Sequence, residues 1–284
     1  MSAGAYPIHT MAKADLALAL AWASDEGWNP GLADGPAFHA ADPDGFLLAR
    51  RDGVAAGCVS LVRYDDRYAF LGLYLVQPAF RGQGLGRALW QAALERGQGC
   101  VIGLDGVPAR QDDYRAAGFV LAHRNLRFAG MAAPDPRPEP AVTELADLPF
   151  EQVLAYDRHG FPSHRPHFLK AWTHYPGGCA LAYEGDDGEL QGYGVLRPCV
   201  TGSRIGPLFA DTPEIADALF RALRAAAPAG TPVYLDVPEN QPQAMALAQR
   251  YGLQPQFETA RMYRGDAPEV DATRIYGVTT FELG

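Results

Sequence analysis

The chain has 284 residues, of which 48% are hydrophobic and 20% charged, and this composition is typical of a globular protein long enough for two domains. Its formal net charge of −9 and the lack of any basic stretch argue against nucleic acid as a partner. No apolar run approaches the roughly 18 residues of a membrane span, and the N-terminal segment lacks the features of a signal peptide, so we expect no membrane partner.

Four widely spaced cysteines bear on the compartment in which the protein works. They lie in apolar surroundings, at Cys58, Cys100, Cys179 and Cys199. Isolated cysteines of this kind are typical of buried, reduced thiols. We therefore expect a cytoplasmic protein, and its assembly as a monomer or a homodimer stays open.

In the first half of the chain, predicted strands and helices alternate. The pattern predicts an edge strand at 6–9, a helix that ends near Glu26, a hairpin of strands at 46–50 and 57–63, and a third strand at 68–76. After a glycine-rich turn and a helix, it predicts a strand at 100–104, a short helix at 111–117, and a final strand pair within 119–128.

The glycine-rich turn is VQPAFRGQGLGR, residues 76–87. Its three glycines leave several backbone N–H groups bare at the positive end of a helix dipole, where a phosphate or pyrophosphate binds well. A nucleotide-triphosphate loop would need Gly-Lys-Ser/Thr, a dinucleotide fingerprint would need G-x-G-x-x-G, and neither is present. Arg81, Gly84 and Gly86 instead fit the pattern R/Q-x-x-G-x-G/A, after a strand that ends in Val76 and a proline two residues on.

This motif resembles the acyl-coenzyme A loop of the GNAT superfamily of N-acetyltransferases, and the order of elements around it is also the GNAT order. The alternative is a glycine-rich helix start without a ligand. In GNAT proteins an irregular fourth strand frees a backbone N–H that polarises the thioester carbonyl, and here it would fall at Leu75-Val76. The resemblance implies acetyl-coenzyme A as co-substrate, at a site that comprises Leu75, Val76, Arg81, Gly82, Gln83, Gly84, Leu85, Gly86 and Arg87.

A proline-rich segment divides the chain. Residues 131–140, MAAPDPRPEP, hold four prolines, which predicts a stiff, extended linker between a domain at 1–130 and a domain at 141–284. Beyond the linker the pattern of the first half returns, since Gly118-Phe119 aligns with Gly252-Leu253 at a shift of 134 residues.

The repeat is incomplete at the coenzyme loop. At the same shift, residues 81–86 meet 215–220, which contain an aspartate and no glycine. We therefore predict an α/β protein made of two GNAT-like domains in tandem, each a mixed, mostly antiparallel sheet flanked by helices. The second domain is expected to be degenerate and to bind no coenzyme.

Three residues are candidates for proton transfer. Tyr114 stands four residues before Gly118-Phe119, where the resemblance places the tyrosine that protonates the leaving thiolate, although it could instead pack its helix against the sheet. Val107 stands where the family often has an asparagine, so one coenzyme contact is in doubt. An acceptor amine must also lose a proton, and Glu26 and Asp105 are the candidate bases. The alternative for each carboxylate is a solvated surface position.

Two further pairs are candidates for binding the acceptor. Trp28 and Asn29 follow the first helix in a loop that could contact a substrate. Asp236 and Arg261 are charges on apolar strands of the second half, which are costly unless paired or used. They form either one wall of an acceptor pocket or a salt bridge between two strands. The histidines within 159–174 lack the paired cysteines or carboxylate of a metal site, so we predict no metal.

The predicted function is that of an N-acetyltransferase. It would transfer acetyl from acetyl-coenzyme A to the primary amine of a small molecule or amino acid, by direct attack in a ternary complex. Two alternatives stay open. One is a coenzyme A-binding sensor or regulator without turnover, and the other is a protein or peptide N-acetyltransferase.

Overall fold

A single mixed β-sheet forms the centre of the computed structural model, which describes residues 6–135 and 137–284; within those residues the sheet has 13 strands. The strands are β1 (Ile8–Thr10), β2 (Phe46–Arg51), β3 (Val54–Arg63), β4 (Tyr68–Val76), β5 (Val101–Gly106), β6 (Val120–Met131), β7 (Val142–Glu144), β8 (Cys179–Glu184), β9 (Leu190–Pro198), β10 (Ser203–Ala210), β11 (Pro232–Pro238), β12 (Gln254–Arg264) and β13 (Ile275–Gly277). The helices are α1 (Leu16–Asp25), α2 (Asp34–Ala41), α3 (Leu85–Arg96), α4 (Gln111–Ala116), α5 (Phe150–Gly160), α6 (Pro166–Thr173), α7 (Pro213–Ala226) and α8 (Pro242–Arg250).

The order of the strands has the same pattern from either edge. It runs β1-β2-β3-β4-β5-β12-β6-β11-β10-β9-β8-β7, and β13 pairs with β10 off this path. The pairs β4–β5 and β10–β11 are parallel, and the other neighbours are antiparallel. Each half therefore contributes five strands in the same order, and the predicted tandem GNAT-like fold is confirmed.

The last strand of each half crosses to the other half. Strand β12 lies between β5 and β6, and β6 lies between β12 and β11. The two exchanged strands begin at Val120 and Gln254, which are 134 residues apart (254 − 120), as the repeat predicts. The exchange joins the two predicted sheets into one.

The predicted strand pair within 119–128 is wrong, because this stretch is part of the single strand β6. Residues 120–129 contain no glycine or proline, so the chain has no turn residue with which to fold back. The partner that a hairpin would have supplied is β12, from the other half of the chain.

A shared core holds the two halves together on one side of the sheet. Helices α1 and α2 of the first half pack with α5 and α6 of the second, and Phe38 stacks on Trp172 with ring centroids 6.2 Å apart. Both side chains are fully buried, and burial of a side chain the size of Phe38 contributes about 1.5–3 kcal/mol. The core therefore fixes the loop between α1 and α2 against the second half.

The proline-rich segment lies between β6 and β7. Residues 132–135 and 137–141 carry neither helix nor strand, and Arg221 of α7 donates to Asp135 at 2.6 Å. The limits of the two domains stay a prediction, since β12 follows the proposed linker and yet completes the sheet of the first half.

Two remaining features concern the surface and the thiols. In the part of the chain that the structure describes, no helix is both long and apolar enough to cross a membrane. All four cysteines are free, but only Cys58 and Cys199 are buried. The expectation of burial is wrong for Cys100 and Cys179, which are half-buried, because each stands at or just before the start of a strand.

Candidate active site

A cavity of about 620 Å³ opens where β4 and β5 separate. The two strands pair from Tyr68 opposite Val101 to Leu71 opposite Leu104. Strand β4 continues to Val76, and beyond Leu71 its edge on the β5 side pairs with no other strand of the described residues. The cause is a bulge in β4, where Leu73 has a φ of 43° and the register against β3 shifts. The irregularity was predicted at Leu75-Val76 and lies two residues earlier. A bulge turns one edge of a strand away from its neighbour.

The freed edge of β4 presents a backbone donor. Gln77 N–H donates to the Ala56 carbonyl of β3 at 2.9 Å. Successive residues of a strand point their N–H groups to opposite sides, so the N–H of Val76 points away from β3, towards the opening. The Val76 carbonyl points the same way and accepts from Arg81 Nε at 2.8 Å.

The glycine-rich turn lies at one end of this cavity. Gly82 and Gly84 have φ of 74° and 86°, and a Cβ added to either would meet no atom within 4 Å. Helix α3 begins at Leu85 without a side-chain cap, and its first helical hydrogen bond runs from Ala88 N–H to the Gly84 carbonyl. The preceding N–H groups have no partner within the helix. The turn therefore fits a pyrophosphate group.

The two arginines of the turn have different surroundings. Arg81 Nη2 lies 2.5 Å from Glu26 Oε1, so this side chain connects the turn to the end of α1. Arg87 is exposed, lines the cavity, and makes no ion pair within 4.0 Å among residues 6–135 and 137–284. Arg87 is therefore the arginine of this turn that is free to meet a phosphate.

Six of the nine predicted coenzyme residues line the cavity: Leu75, Val76, Arg81, Gly82, Gly86 and Arg87. Gln83, Gly84 and Leu85 do not line it. The Gln83 carbonyl accepts from Tyr6 at 2.6 Å, and the Leu85 side chain is fully buried in the core. These three residues therefore contribute to the turn through their backbone: Gly84 has no side chain, the Gln83 amide donates to the Ala79 carbonyl at 3.0 Å, and the Leu85 side chain lies in the core.

Tyr114 lines the cavity from α4. Its ring stacks on Trp90 at 5.7 Å and lies so close to Gly106 that a Cβ there would collide with it. Burial, with a smaller effect of Tyr74, raises the pKa of Tyr114 to about 12, so the hydroxyl keeps its proton at neutral pH. Tyr74 also lines the cavity, and burial raises its pKa too. No motif or spacing in the sequence singles Tyr74 out.

Both predicted bases line the cavity, but each is already paired. Glu26 binds Arg81, as described above. Asp105 accepts from Arg261 at 2.9 and 2.6 Å and from Asn125 at 2.8 Å. Its side chain has no exposed surface, so this carboxylate acts as the partner of Arg261 in the structure.

Of the two candidate substrate contacts in the loop after α1, only one lines the cavity. Trp28 lines the cavity, and its carbonyl accepts from Arg127 at 2.8 Å and Arg204 at 3.1 Å. Asn29 does not line the cavity. Its side chain makes two hydrogen bonds with the backbone of Thr201, at 2.8 and 3.0 Å. Asn29 therefore holds the loop against the second half, and the structure does not place it in the lining of this cavity.

Asp236 and Arg261, the other candidates for an acceptor wall, do not line this cavity. Asp236 has no exposed surface and pairs with Arg127 across β11 and β6, at 2.7 and 2.8 Å. Burial alone raises the pKa of Asp236, but Arg127 and Arg204 hold it below the usual value. Arg261 pairs with Asp105 and lines a separate, smaller cavity. Of the two interpretations left open, the salt bridge is the one that the structure contains.

The second half lines the cavity with other residues. They are Phe257 and Thr259 on β12, and Phe281 and Glu282 in the segment 278–284. The repeat identifies β12 as the counterpart of β6, but no periodicity or turn signal reveals that it enters the first sheet. The sequence contains no signal for the segment 278–284.

In the second half, the corresponding opening is filled by the chain itself. Strands β10 and β11 separate after Ile205 and Leu235, and β13 pairs with β10 in the gap. A Cβ on Gly277 would lie 2.6 Å from Leu235, so β13 fits closely. This strand occupies the place that corresponds to the opening between β4 and β5 in the first half.

The aspartate that replaces the glycine turn also has a structural role. Asp217 of α7 accepts from Arg221 at 3.0 Å, from Arg250 at 2.8 Å and from Tyr251 at 2.8 Å. No group of three or more His, Cys, Asp or Glu within 6–135 and 137–284 is arranged to hold a metal ion.

Comparisons with known proteins agree with this architecture. Residues 15–120 match the model of the "Acetyltransferase (GNAT) family", and residues 153–277 match the model of the "Acetyltransferase (GNAT) domain". A holothin acyltransferase of Pseudoalteromonas sp. (strain SANK 73390) is 31% identical over 265 residues, which cover 93% of this chain and 89% of that protein.

Solved structures share the fold. A candidate acetyltransferase from Pyrococcus horikoshii has a TM-score of 0.84 at 24% identity, over 99% of this chain and 96% of that one. A tandem GNAT protein from the clavulanic acid biosynthesis pathway has a TM-score of 0.63 at 16% identity, over 92% of this chain and 99% of that one. With two GNAT matches in one chain and an acyltransferase relative along nearly its whole length, the protein belongs to the GNAT family, as a tandem GNAT acyltransferase.

Proposed function

We propose that the protein transfers an acetyl group from acetyl-coenzyme A to the primary amine of a small molecule, with both reactants bound together. The observation that carries the proposal is the single cavity into which the glycine turn, the unpaired edge of β4 and Tyr114 all open. Within one cavity, two bound reactants need not meet by diffusion, and this proximity supplies a large part of the rate.

Different residues of the cavity would bind different parts of acetyl-coenzyme A, the compound that supplies the activated thioester. The bare N–H groups before Ala88 and the cation of Arg87 would hold the pyrophosphate. The unpaired edge of β4 would pair with the pantetheine arm as an extra strand. The N–H of Val76 would donate to the thioester carbonyl, and a donor of this kind lowers the barrier by a few kcal/mol, about 2.7–4 in well-studied cases.

Tyr114 is the proposed proton donor to the departing sulfur. Tyr114 lines the cavity, and its hydroxyl stays protonated because burial raises its pKa to about 12. Tyr74 is the second tyrosine of the cavity and is the alternative donor. A positioned general acid contributes about 10²–10⁴-fold to a rate.

A small acceptor fits the enclosure better than a protein side chain. Trp28, Phe257 and Phe281 line the cavity from both halves of the chain, as apolar walls on either side of it. A lysine or terminus of a protein would need an open groove, so a small-molecule amine, amino acids included, is the proposed acceptor class. The four free cysteines support a cytoplasmic location, and neither nucleic acid nor a membrane is part of the proposal, for a monomer or a homodimer.

The test is thiol release from acetyl-coenzyme A across a panel of amines, amino acids and peptides. We expect acceptor-dependent release by the wild type, and a fall in kcat of about 100-fold or more for Tyr114→Phe. Tyr183→Phe on β8, away from the cavity, is the matched loss of a hydroxyl and should keep full activity.

The outcomes separate the alternatives. A loss in Tyr74→Phe rather than Tyr114→Phe would transfer the donor role to Tyr74. Tight binding of acetyl-coenzyme A without release for any acceptor would favour the sensor, and release with peptides alone would favour a protein N-acetyltransferase.

A further inference from the structure

We propose that Glu282 is the carboxylate that receives the acceptor amine, and that the acceptor is a primary amine with a flat, apolar body and no carboxylate of its own. This inference rests on the proposed function, and it narrows the acceptor class. It begins from the charges that line the cavity.

Four carboxylates line the cavity, and three of them already have a cation. Glu26 lies 2.5 Å from Arg81, Asp105 lies 2.6 Å from Arg261, and Asp113 lies 3.0 Å from Arg110. The fourth is Glu282. Over residues 6–135 and 137–284, no Arg, Lys or His nitrogen comes within 4.0 Å of its carboxylate.

Glu282 is also buried. Its exposure is 4%, and its side-chain hydrogen bond within the described part of the chain comes from the Thr280 hydroxyl. A buried carboxylate is costly unless a cation or several hydrogen bonds compensate it. The Thr280 hydroxyl and the more distant charges of Arg127 and Arg197 compensate it only in part, so a cationic ligand in the cavity would complete the environment of Glu282.

The backbone places Glu282 where β4 leaves β5. A Cβ on Gly72 would collide with the Glu282 carbonyl, so the two segments are in close contact immediately before the bulge at Leu73. The segment 278–284 is tied down there, since Tyr64 donates to the Leu283 carbonyl at 2.8 Å. Glu282 therefore stands at the mouth of the opening in which the thioester would lie.

The walls beside Glu282 are aromatic. Phe281 and Phe257 lie with ring centroids 6.3 Å apart, and Trp28 lines the same cavity. The Arg127 guanidinium stacks over Phe281 at 4.7 Å, but its donors are used by Asp236 and the Trp28 carbonyl. Aromatic walls favour a flat apolar body. Arg127 already donates to Asp236 and the Trp28 carbonyl, and Arg87 is assigned to the pyrophosphate. A carboxylate on the acceptor would therefore find no unengaged cation beside Glu282 and would meet the repulsion of that residue.

The chemical step then balances. Glu282 accepts one proton from the ammonium, which frees the lone pair of the nitrogen. That nitrogen forms its bond to the acyl carbon, the carbon–sulfur bond breaks, and the electron pair leaves with the sulfur. Tyr114 gives a proton to the sulfur and regains one from the nitrogen, while Glu282 releases its proton to water. One amide, one thiol and one proton result.

The experiment compares phenethylamine with phenylalanine, which differ by a carboxylate, as acceptors for the wild type, Glu282→Gln, Glu282→Asp and Glu269→Gln. Glu269 is exposed and outside the cavity, so its variant controls for the change of charge. We expect the wild type to prefer phenethylamine by about 10-fold or more in kcat/KM. For Glu282→Gln we expect a fall of about 10²-fold or more, with the KM for acetyl-coenzyme A unchanged.

The pH profile distinguishes a proton acceptor from a structural residue. Without Glu282 the amine must lose its proton in solution, so kcat/KM of Glu282→Gln should rise tenfold per pH unit up to the pKa of the amine. Glu282→Asp should recover part of the rate at neutral pH.

Three results would overturn the inference. They are a preference for phenylalanine in the wild type, release with aliphatic amines but none with phenethylamine, and a Glu282→Gln enzyme with the kcat/KM and pH profile of the wild type. The first two need no variant, so they hold even if Glu282→Gln does not fold. A wild type that releases no thiol with any acceptor would instead refute the proposed function itself.

Discussion

Arg127 and Asp236 face each other across β6 and β11, and Arg127 donates to both carboxylate oxygens, at 2.7 and 2.8 Å. Arg261 and Asp105 repeat this arrangement across β12 and β5, at 2.9 and 2.6 Å. The two arginines are 134 residues apart (261 − 127), which is the shift of the internal repeat. Each ion pair joins an exchanged strand to the fifth strand of the other half.

Loss of Asp236 should therefore destabilise the whole chain. Asp236→Leu leaves the Arg127 charge buried without a partner, and we expect it to lower the free energy of unfolding by about 3–5 kcal/mol in urea denaturation. The double variant Arg127→Met/Asp236→Leu should lose less than the single variant, because only Arg204, 3.9 Å from Asp236 in the wild type, is then left without its partner, instead of both arginines.

The control is an exposed pair on the same two exchanged strands. Arg124 of β6 lies 3.3 Å from Glu258 of β12, and both side chains are exposed by more than a third. Glu258→Gln should cost about 0–1 kcal/mol. Equal losses for Asp236→Leu and Glu258→Gln would show that burial of the Arg127 pair does not matter for stability.

Gly84 of the coenzyme turn should affect stability and binding, whereas a matched glycine should affect stability alone. Gly84 has a φ of 86° and Gly53, in the turn between β2 and β3, has a φ of 80°, and both have open space around a Cβ. Alanine at either position should cost about 1–2 kcal/mol. Only Gly84→Ala should raise the KM for acetyl-coenzyme A, by about 10-fold, because it disturbs donors to a charged group. A similar rise for Gly53→Ala would attribute the effect to general destabilisation.

Gly106 should act on the reaction through Tyr114. A Cβ at Gly106 would collide with the Tyr114 ring, so Gly106→Ala must displace the ring from its place beside Trp90. We expect kcat to fall nearly as far as in Tyr114→Phe. In the Tyr114→Phe background, Gly106→Ala should lower kcat little further, and two fully multiplicative losses would contradict this coupling.

The pH dependence of kcat should reflect the raised pKa of Tyr114. A tyrosine donor works only while it is protonated, and burial raises its pKa from 10.0 to about 12. The rate should therefore show no loss from this group as the pH rises to about 11. Stopped assays between pH 7 and pH 11 test this, and a fall with a midpoint near pH 10 that disappears in Tyr114→Phe would contradict it.

His123 should make the fold sensitive to acid. It lies opposite Arg261 across β6 and β12, and burial, assisted by Arg261, lowers its pKa from 6.5 to about 4. Above pH 6.5 the group is neutral in both states and adds no pH dependence. Between pH 6.5 and pH 4 the unfolded chain binds more protons, so stability falls as the pH falls.

The check on His123 is a comparison of Tm at pH 7 and pH 4.5. His123→Gln, which cannot gain a charge, should lose less Tm between these two values than the wild type. An equal loss in both proteins would assign the acid sensitivity to other groups.

A structural feature could be predicted from the sequence when the pattern that specifies it lies within a few neighbouring residues. The turn at 76–87 was predicted together with its bare N–H groups, because these depend only on neighbouring residues. Tyr114 was found by its spacing from Gly118-Phe119, and the degenerate second loop by its lack of glycine. The bulge at Leu73 was missed by two residues, since β-branched and apolar residues carry no signal for a change of register.

The sequence by itself determined the GNAT identity of both halves, the order of their elements and the place of the coenzyme turn, because these depend on periodicity and on glycine backbone geometry. Only the tertiary structure decided that β6 and β12 exchange, that Asp105 and Asp236 are paired, and that Glu282 reaches the cavity of the other half. The physical reason is that a buried charge takes whichever partner the fold brings to it, and partners more than 100 residues away leave no pattern along the chain.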